Sequence, residues 1–398
     1  MKVTLLNTLL GTPNHLVYNG DVLSWSSSVP DDSWVYPGVA CKMSIEAVAK
    51  SCDLKISGFE STPHGAAWRE ILKGANGQVP WFYSLSKERF NAYLSDLLDQ
   101  LWRLLNSEHD GYYMNELQVN RELLESLSAP LIDKEMAKSF LSSATDKSRQ
   151  DILKFLPKEG ERARKSIYTQ DNTLTGRLTI TSGPNILTLK KKYRKMLKSE
   201  FKNGSVVQVD IVSLEPRIAL CVAEKDDPAD IYAHIRDEVF NGEITRSHAK
   251  ISTLGCIYGM TPWTLSKKLP DTIDARDALM RVRDYFDIPY LERSLKSQFK
   301  ENGFIKNMYG RKITSSDSIV NYFLQSSGAD AALLSFNNMR NILNDKYDKF
   351  KFLYVIHDAI LIDTDRVGIE ILKEVTSSGI HVPTINKKFP VKIEKVDK

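Results

Sequence analysis

The clearest periodicity in the chain begins at Lys87. From there Phe90, Tyr93, Leu94, Leu97, Leu98, Leu101, Trp102 and Leu105 recur at three- and four-residue steps. That spacing predicts an amphipathic helix with Ser86 as its N-cap. Upstream, residues 1–85 hold short strand-like pieces, LVYNGDVLSW and VPWFYSL, separated by turn residues. The opening MKVTLLNTLLG is interrupted by Asn7 and Thr8, so it reads as a strand and not as a signal peptide. Residues 116–165 predict further amphipathic helices, broken near Pro130 and Pro157. The β-branched run in VVQVDIVSLEPR predicts a strand leading into a helix over 206–223. Residues 229–300 read as mainly helical, with interruptions at Pro262, Pro270 and Pro289. FLYVIHDAILID (352–363) predicts two strands in a tight hairpin around His357 and Asp358, and HVPTI with FPVKIEKV predicts a last strand pair. LKSEFKNG and LKSQFKENG are alike but too short to argue a repeat architecture.

With 398 residues the chain can bury a large core and form more than one domain. Its composition, 42% apolar and 26% charged, is that of a globular protein, and no apolar run is long enough to span a bilayer. Cys41, Cys52, Cys221 and Cys256 form no CxxC pair and read as reduced thiols, which points to a cytoplasmic location. The seven histidines show no HExxH spacing. Net charge is only +4, yet residues 154–202 alone carry +9, concentrated in RARK (162–165) and KKKYRKMLK (190–198). A solvated helix face is the bland reading of one such cluster. Beside candidate carboxylate sites, this concentration favours a polyanionic partner.

Asp210 and Asp358 each close a strand-like run. Either alone would read as an ordinary strand-end or turn aspartate. Together they suit two divalent cations roughly 4 Å apart, which activate a hydroxyl and neutralise a leaving phosphate. Mg²⁺ favours a few carboxylates plus substrate phosphates, and the carbonyl of Ile211 would supply a further oxygen. Arg246, Lys250, Leu254 and Tyr258 are spaced four residues apart, one drifting stripe on a helix that Thr245 would cap. The two cations and the positive helix end can hold a triphosphate, with Tyr258 two turns further toward sugar and base. No GxxxxGK[ST] or GxGxxG occurs, so P-loop and Rossmann readings lack support.

In order along the chain, these segments resemble family A (polymerase I-like) DNA polymerases. VDIVSLEPR resembles that family's first carboxylate motif (Asp210, Glu215, Arg217), and VIHDAILI the second (His357, Asp358). RSHAKISTLGCIYGMTPWTLSKKL resembles the fingers helix, with Arg246, Lys250, Gly255, Tyr258 and Gly259. TLTGRLTITSGPNI (Arg177, Asn185) and NYFLQSSGAD (Asn321, Gln325) resemble primer-template segments, and FIKNMYGRK and LNSEHDGYYMN also fit. The resemblance covers residues 97–398. It implies an α+β right-hand fold with an antiparallel palm sheet, helical fingers and a reduced helical thumb. The domains would be 1–96 (role unassigned), 97–170 (palm entry and thumb), 171–225 (palm), 226–300 (fingers) and 301–398 (palm).

It further implies template-directed addition of dNTPs to a primer 3′-OH. Asp210, Ile211 and Asp358 would hold two Mg²⁺, or Mn²⁺ in their place. Arg246, Lys250, Leu254, Tyr258, Glu215 and Tyr232 would contact the nucleotide, with Lys250 protonating the leaving pyrophosphate. Glu215 would act as a steric gate beneath the sugar C2′. Arg177, Asn185, Arg194, Asn321, Gln325 and His357 would contact primer-template DNA. The protein would be a monomer, with no membrane association and a processivity or exonuclease partner. Four departures stand out. Leu254 replaces an aromatic, which implies poor use of dideoxynucleotides, and Tyr232 replaces a histidine. Ala359 replaces an acid, and Asp317 a base. Residues 1–96 are too few for the family's proofreading domain, and the short stretch from Gly111 to Gly176 implies weak grip on duplex. Two rival readings are a single-subunit RNA polymerase, disfavoured by Glu215, and an inactive nucleic-acid-binding scaffold.

Overall fold

A computed structural model of the chain describes residues 2–30, 33–38, 44–51, 54–72, 79–106 and 111–396. Cys41, Cys52 and the Ser107–Asp110 part of LNSEHDGYYMN lie outside the described residues. The chain divides into two compact units, Met1–Arg121 with Gly310–Lys312, and Glu122–Tyr309 with Ile313–Lys398.

In the first unit, strands β1 (Lys2–Leu5), β2 (His15–Tyr18), β3 (Leu23–Ser26) and β4 (Ser33–Tyr36) form a sheet in the order β3-β2-β1-β4. β1 runs antiparallel to β2 (Val3 opposite Tyr18) and parallel to β4 (Val3 opposite Trp34). The opening segment is therefore a strand only as far as Leu5. Asn7–Leu10 forms a helical turn that ends at Gly11, whose φ of 67° and ring contact with Phe82 leave no room for a side chain. The strand expected in VPWFYSL is a helical turn, Trp81–Ser84. Trp81 is fully buried and Leu85 packs beside it, while Phe82 and Tyr83 face outward. Burial at i and i+4 suits a helix, not an alternating strand.

The helix α1 (Lys87–Asn106) forms as its periodicity requires, with Ser86 Oγ accepting from the Arg89 amide. A domain boundary at 96/97 would cut it in two. The unit instead runs to Arg121, because Leu97, Leu101 and Leu104 share one core with Val3, Leu5, Trp34 and Trp81. Tyr113 and Leu117 of the next helix, Gly111–Ser126, join the same core.

The second unit is built on a four-stranded antiparallel sheet. Its strands are β5 (Ser205–Ile211), β6 (Phe350–Ile356), β7 (Ala359–Thr364) and β8 (Val391–Lys395), in the order β6-β7-β5-β8. Buried Val206, Val207, Val209, Ile360, Leu361 and Ile362 stiffen its centre. The hairpin at His357–Asp358 is as the pattern predicts. The last strand pair is not. Ile380–Val382 pairs with Lys387–Phe389, and β8 crosses to the other edge of β5. Pro390 separates the two strands, and its carbonyl accepts from the Val212 amide at 2.9 Å.

Helix α2 (Leu214–Val222) leaves β5 through Ser213 at φ 58°, and α3 (Arg246–Ile257) follows. The helices break before Pro262 and Pro289 as expected, and each proline lies in the first turn of the next helix, Pro262–Ser266 and Ile288–Asn302. The 28-residue helix α4 (Ile319–Lys346) is buried over most of its length and packs on α2. Cys256 is buried, and burial pushes its thiol up to about 12; Cys221 is half-buried.

Arg217 locks the turn from sheet to helix. Only 1% exposed, it pairs with Asp227 and donates to the carbonyls of Val212 (2.9 Å), Ala229 (3.1 Å) and Pro228 (3.3 Å). Replacing it leaves a carboxylate and three carbonyls without their donor. Arg217→Leu is expected to destabilise this unit by about 3–5 kcal/mol, measured by urea denaturation.

Candidate active site

The register of the central sheet brings the two aspartates together. Ala359 lies opposite Asp210 across β7 and β5, so Asp358, one residue earlier, stands at the same sheet end. The Ile211 amide donates to the Asp358 carbonyl at 2.9 Å, tying the turn to the strand. His357 takes φ 56°, the left-handed conformation that lets the hairpin turn this tightly. Burial and then the charges of Asp210 and Glu215 push the Asp358 carboxyl up to about 7. Burial also raises Asp210, against a hydrogen bond from Gln208 Nε2 at 3.3 Å. A carboxyl that resists ionising beside a second carboxylate is an arrangement whose charge a bound cation would relieve.

Asp358 opens into a cleft of about 220 Å³, where Arg177, Glu215, Tyr258, Gln325 and His357 meet it. Leu178, Leu214, Gly328, Ala329 and Leu333 supply its apolar wall. Glu215 Oε1 accepts from the Tyr258 hydroxyl at 3.2 Å and from Arg177 at 3.4 Å. Burial, then Glu215, pushes the Tyr258 phenol well above its usual range. Partial burial and then the positive charge of Arg177 hold His357 below the usual imidazole range.

Helix α3 begins where expected, with Thr245 Oγ1 capping the His248 amide at 3.2 Å. Arg246 and Lys250 are exposed and both lie over the buried ring of Tyr232, 5.4 and 5.6 Å from its centroid. Arg246 Nε also pairs with Asp230 at 2.7 Å. Burial pushes the Tyr232 phenol above its usual range. Leu254 is half-buried, and Tyr258 caps the helix C-terminus.

The remaining predicted residues are placed differently. Arg194 donates to Gln208 at 3.1 Å, and Gln208 in turn reaches Asp210. Arg194 also lines a second, basic cleft of about 100 Å³ with Lys191, Lys192 and Lys195. Gln325 lies in the main cleft and donates to Asn321 one turn away. Asn321 is not among the cleft-lining residues. Nor is Asn185, whose side-chain oxygen accepts from the Leu187 amide at 3.0 Å.

Sequence reasoning missed a buried network behind the cleft. Asp330, fully buried on α4, accepts from Gln170 at 3.0 Å and Asn307 at 2.8 Å. Gln170 also donates to the Gly176 carbonyl at 3.0 Å, next to Arg177. Its one sequence signal is an aspartate inside a short, otherwise apolar stretch, GADAALL.

Residues 82–395 match the model of DNA polymerase family A, and the chain belongs to that family. DNA polymerase I of Aquifex aeolicus (strain VF5) is 26% identical over 256 residues, which cover 58% of this chain and 44% of that protein. DNA polymerase I of Bacillus subtilis (strain 168) is 24% identical over 243 residues, covering 52% of this chain and 27% of that one. The DNA polymerase of Bacillus phage SP01 is 24% identical over 256 residues, 52% of this chain and 28% of that one. The chain thus spans less than half the length of these relatives. Its fold is similar to that of the POL domain of Pol1 from M. smegmatis, solved in complex with DNA primer-template and dNTP. There the TM-score is 0.60 at 12% identity, over 96% of this chain and 92% of that chain.

The repulsion at the sheet end has a measurable consequence. The folded protein keeps the Asp358 proton up to about pH 7, whereas the ordinary value is 3.8. Ionising this group therefore destabilises the metal-free fold increasingly from pH 4 to 7 and fully above that. Asp358→Asn should stabilise the metal-free protein by about 2–4 kcal/mol at pH 8, with the gain fading toward pH 4. Thermal melts in chelator across that range measure it.

Proposed function

We propose that this protein is a template-directed DNA polymerase that adds dNTPs to a primer 3′-OH and releases pyrophosphate. The observation that carries the reading is the convergence of Asp210 and Asp358 at the open end of the central sheet, beside the cleft holding Glu215 and Tyr258. Among the described residues, no group of three or more His, Cys, Asp or Glu side chains is arranged to hold a metal ion. Two carboxylates without a full protein cage fit Mg²⁺, which keeps waters and takes phosphate oxygens. Asp210 and Asp358 would hold the ions, with Mn²⁺ as a substitute. When bound, such a pair supplies activation of the attacking hydroxyl and charge neutralisation on the leaving group.

The chain's own residues do the positioning. Arg246 and Lys250 bind the triphosphate, and Arg246 exchanges its Asp230 partner for phosphate. Lys250 gives a proton to the departing pyrophosphate oxygen. Glu215, braced by Tyr258 and Arg177, occupies the space a ribose 2′-hydroxyl would need. Arg177 and Gln325 present donors to the minor-groove acceptors common to all base pairs. The basic cleft at Lys191, Lys192 and Arg194 suits strand phosphates. In this reading the sheet and α4 are the palm, and residues 226–300 are the fingers.

We also propose that this chain does not itself proofread: among the described residues, the strands of its first unit bear no carboxylate. Among the described residues no helix is long and apolar enough to cross a membrane.

Primer extension tests the reading. Asp210→Ala and Asp358→Ala should each lower extension by about a thousandfold or more while primer-template binding persists in a mobility-shift assay. Glu215→Ala should raise ribonucleotide incorporation. Wild-type extension with rNTPs in preference to dNTPs would turn the assignment toward an RNA polymerase. Extension by neither would leave a binding scaffold.

A further inference from the structure

We propose that Gly328 is a specificity-determining residue, setting the position of Glu215 and through it the preference for deoxyribose. This rests on the reading of Glu215 as the sugar gate. Gly328 lies within the long helix α4, where glycine is the poorest helix former after proline. Its φ is not positive, so backbone conformation does not require glycine there. Space does. A methyl group on Gly328 would stand 3.3 Å from Glu215 Cγ and 3.8 Å from both Glu215 Cδ and Ile218 Cδ1. The first contact is closer than packed carbons normally sit, so one partner must yield.

Helix α4 is not free to yield. Immediately before Gly328, Ser327 Oγ accepts from the Met308 amide at 3.2 Å. Two residues after it, Asp330 is held by Gln170 and Asn307. Helix α2 is anchored on the other side by Arg217. Glu215 is the part that moves, and its two supporting hydrogen bonds, 3.2 Å from Tyr258 and 3.4 Å from Arg177, have little length to spare. A displacement of a few tenths of an ångström weakens both. The carboxylate then rotates away from the position that excludes a 2′-hydroxyl. Gly328 is thus the floor against which the gate is set, and it acts through Glu215 without touching the reacting atoms.

The test is a double-mutant cycle on nucleotide selectivity, the ratio of kcat/KM for a dNTP to that for the matching rNTP. Gly328→Ala should lower the ratio by about tenfold, and Glu215→Ala should lower it further. Adding Gly328→Ala to Glu215→Ala should change nothing more, because the glycine has no gate left to position. A thermal melt of Gly328→Ala at or above the wild-type temperature shows that the helix is intact. If that variant does not fold, Tyr258→Phe removes one brace without adding volume and should show the same dependence on Glu215. A ratio within twofold of wild type for Gly328→Ala overturns the proposal, as does a loss that persists undiminished without Glu215. If Glu215→Ala itself leaves the wild-type ratio unchanged, the gate reading fails, and this inference with it.

Discussion

The antiparallel pairing of Ala359 with Asp210 is the constraint on which the rest of the site depends. It is a backbone register, set by buried β-branched and leucine side chains on both strands. Slipping one strand by one residue would turn all its side chains to the opposite face, so the packing on both faces of β7 holds the pairing. The aspartates themselves oppose the arrangement. Asp358 is half-buried near Asp210 and Glu215, and it resists ionising there. The apolar core of the sheet outweighs the cost of holding that carboxyl there, a stability cost localised at the cleft.

From that fixed edge the cleft is assembled by elements far apart in the chain. Arg177 comes from a loop, Glu215 from the first turn of α2, Tyr258 from the end of α3, and Gln325 and Gly328 from α4. Buried polar contacts hold these parts in place. Arg217 fastens α2 to the loop that follows it, and Asp330 with Gln170 fastens α4 to the loop of Arg177. These contacts are wholly or partly out of water, where an unmet partner is costly, so they are specific as well as strong. The cations Arg246 and Lys250 are exposed by contrast, and their ring partner Tyr232 keeps them close to one another.

Several features were legible in the pattern of residues. The hairpin at His357–Asp358, the strand-to-helix turn after Asp210, the α1 periodicity and the Thr245 cap all arise from interactions within a few residues, and all stand as read. Misread features depended on distant partners. VPWFYSL has the composition of a strand, but Trp81 is drawn into a core shared with Trp34 and Tyr113. The tail strand Val391–Lys395 finds a free edge on β5 where a neighbour along the chain was expected. The boundary placed at residue 96 ignored that a helix stays with the core its apolar face covers.

Residue types and their spacing by themselves determined the candidate carboxylates, the cationic stripe of α3 and the family they resemble, because such chemistry needs particular side chains at particular steps. Tertiary structure decided which of these meet. It joined Tyr258 and Arg177 on one oxygen of Glu215, gave Asn185 to a local turn, and set Gly328 against the Glu215 side chain. The physical reason is that a hydrogen bond or a close contact depends on distances of tenths of an ångström, which are fixed only when separate elements pack against one another.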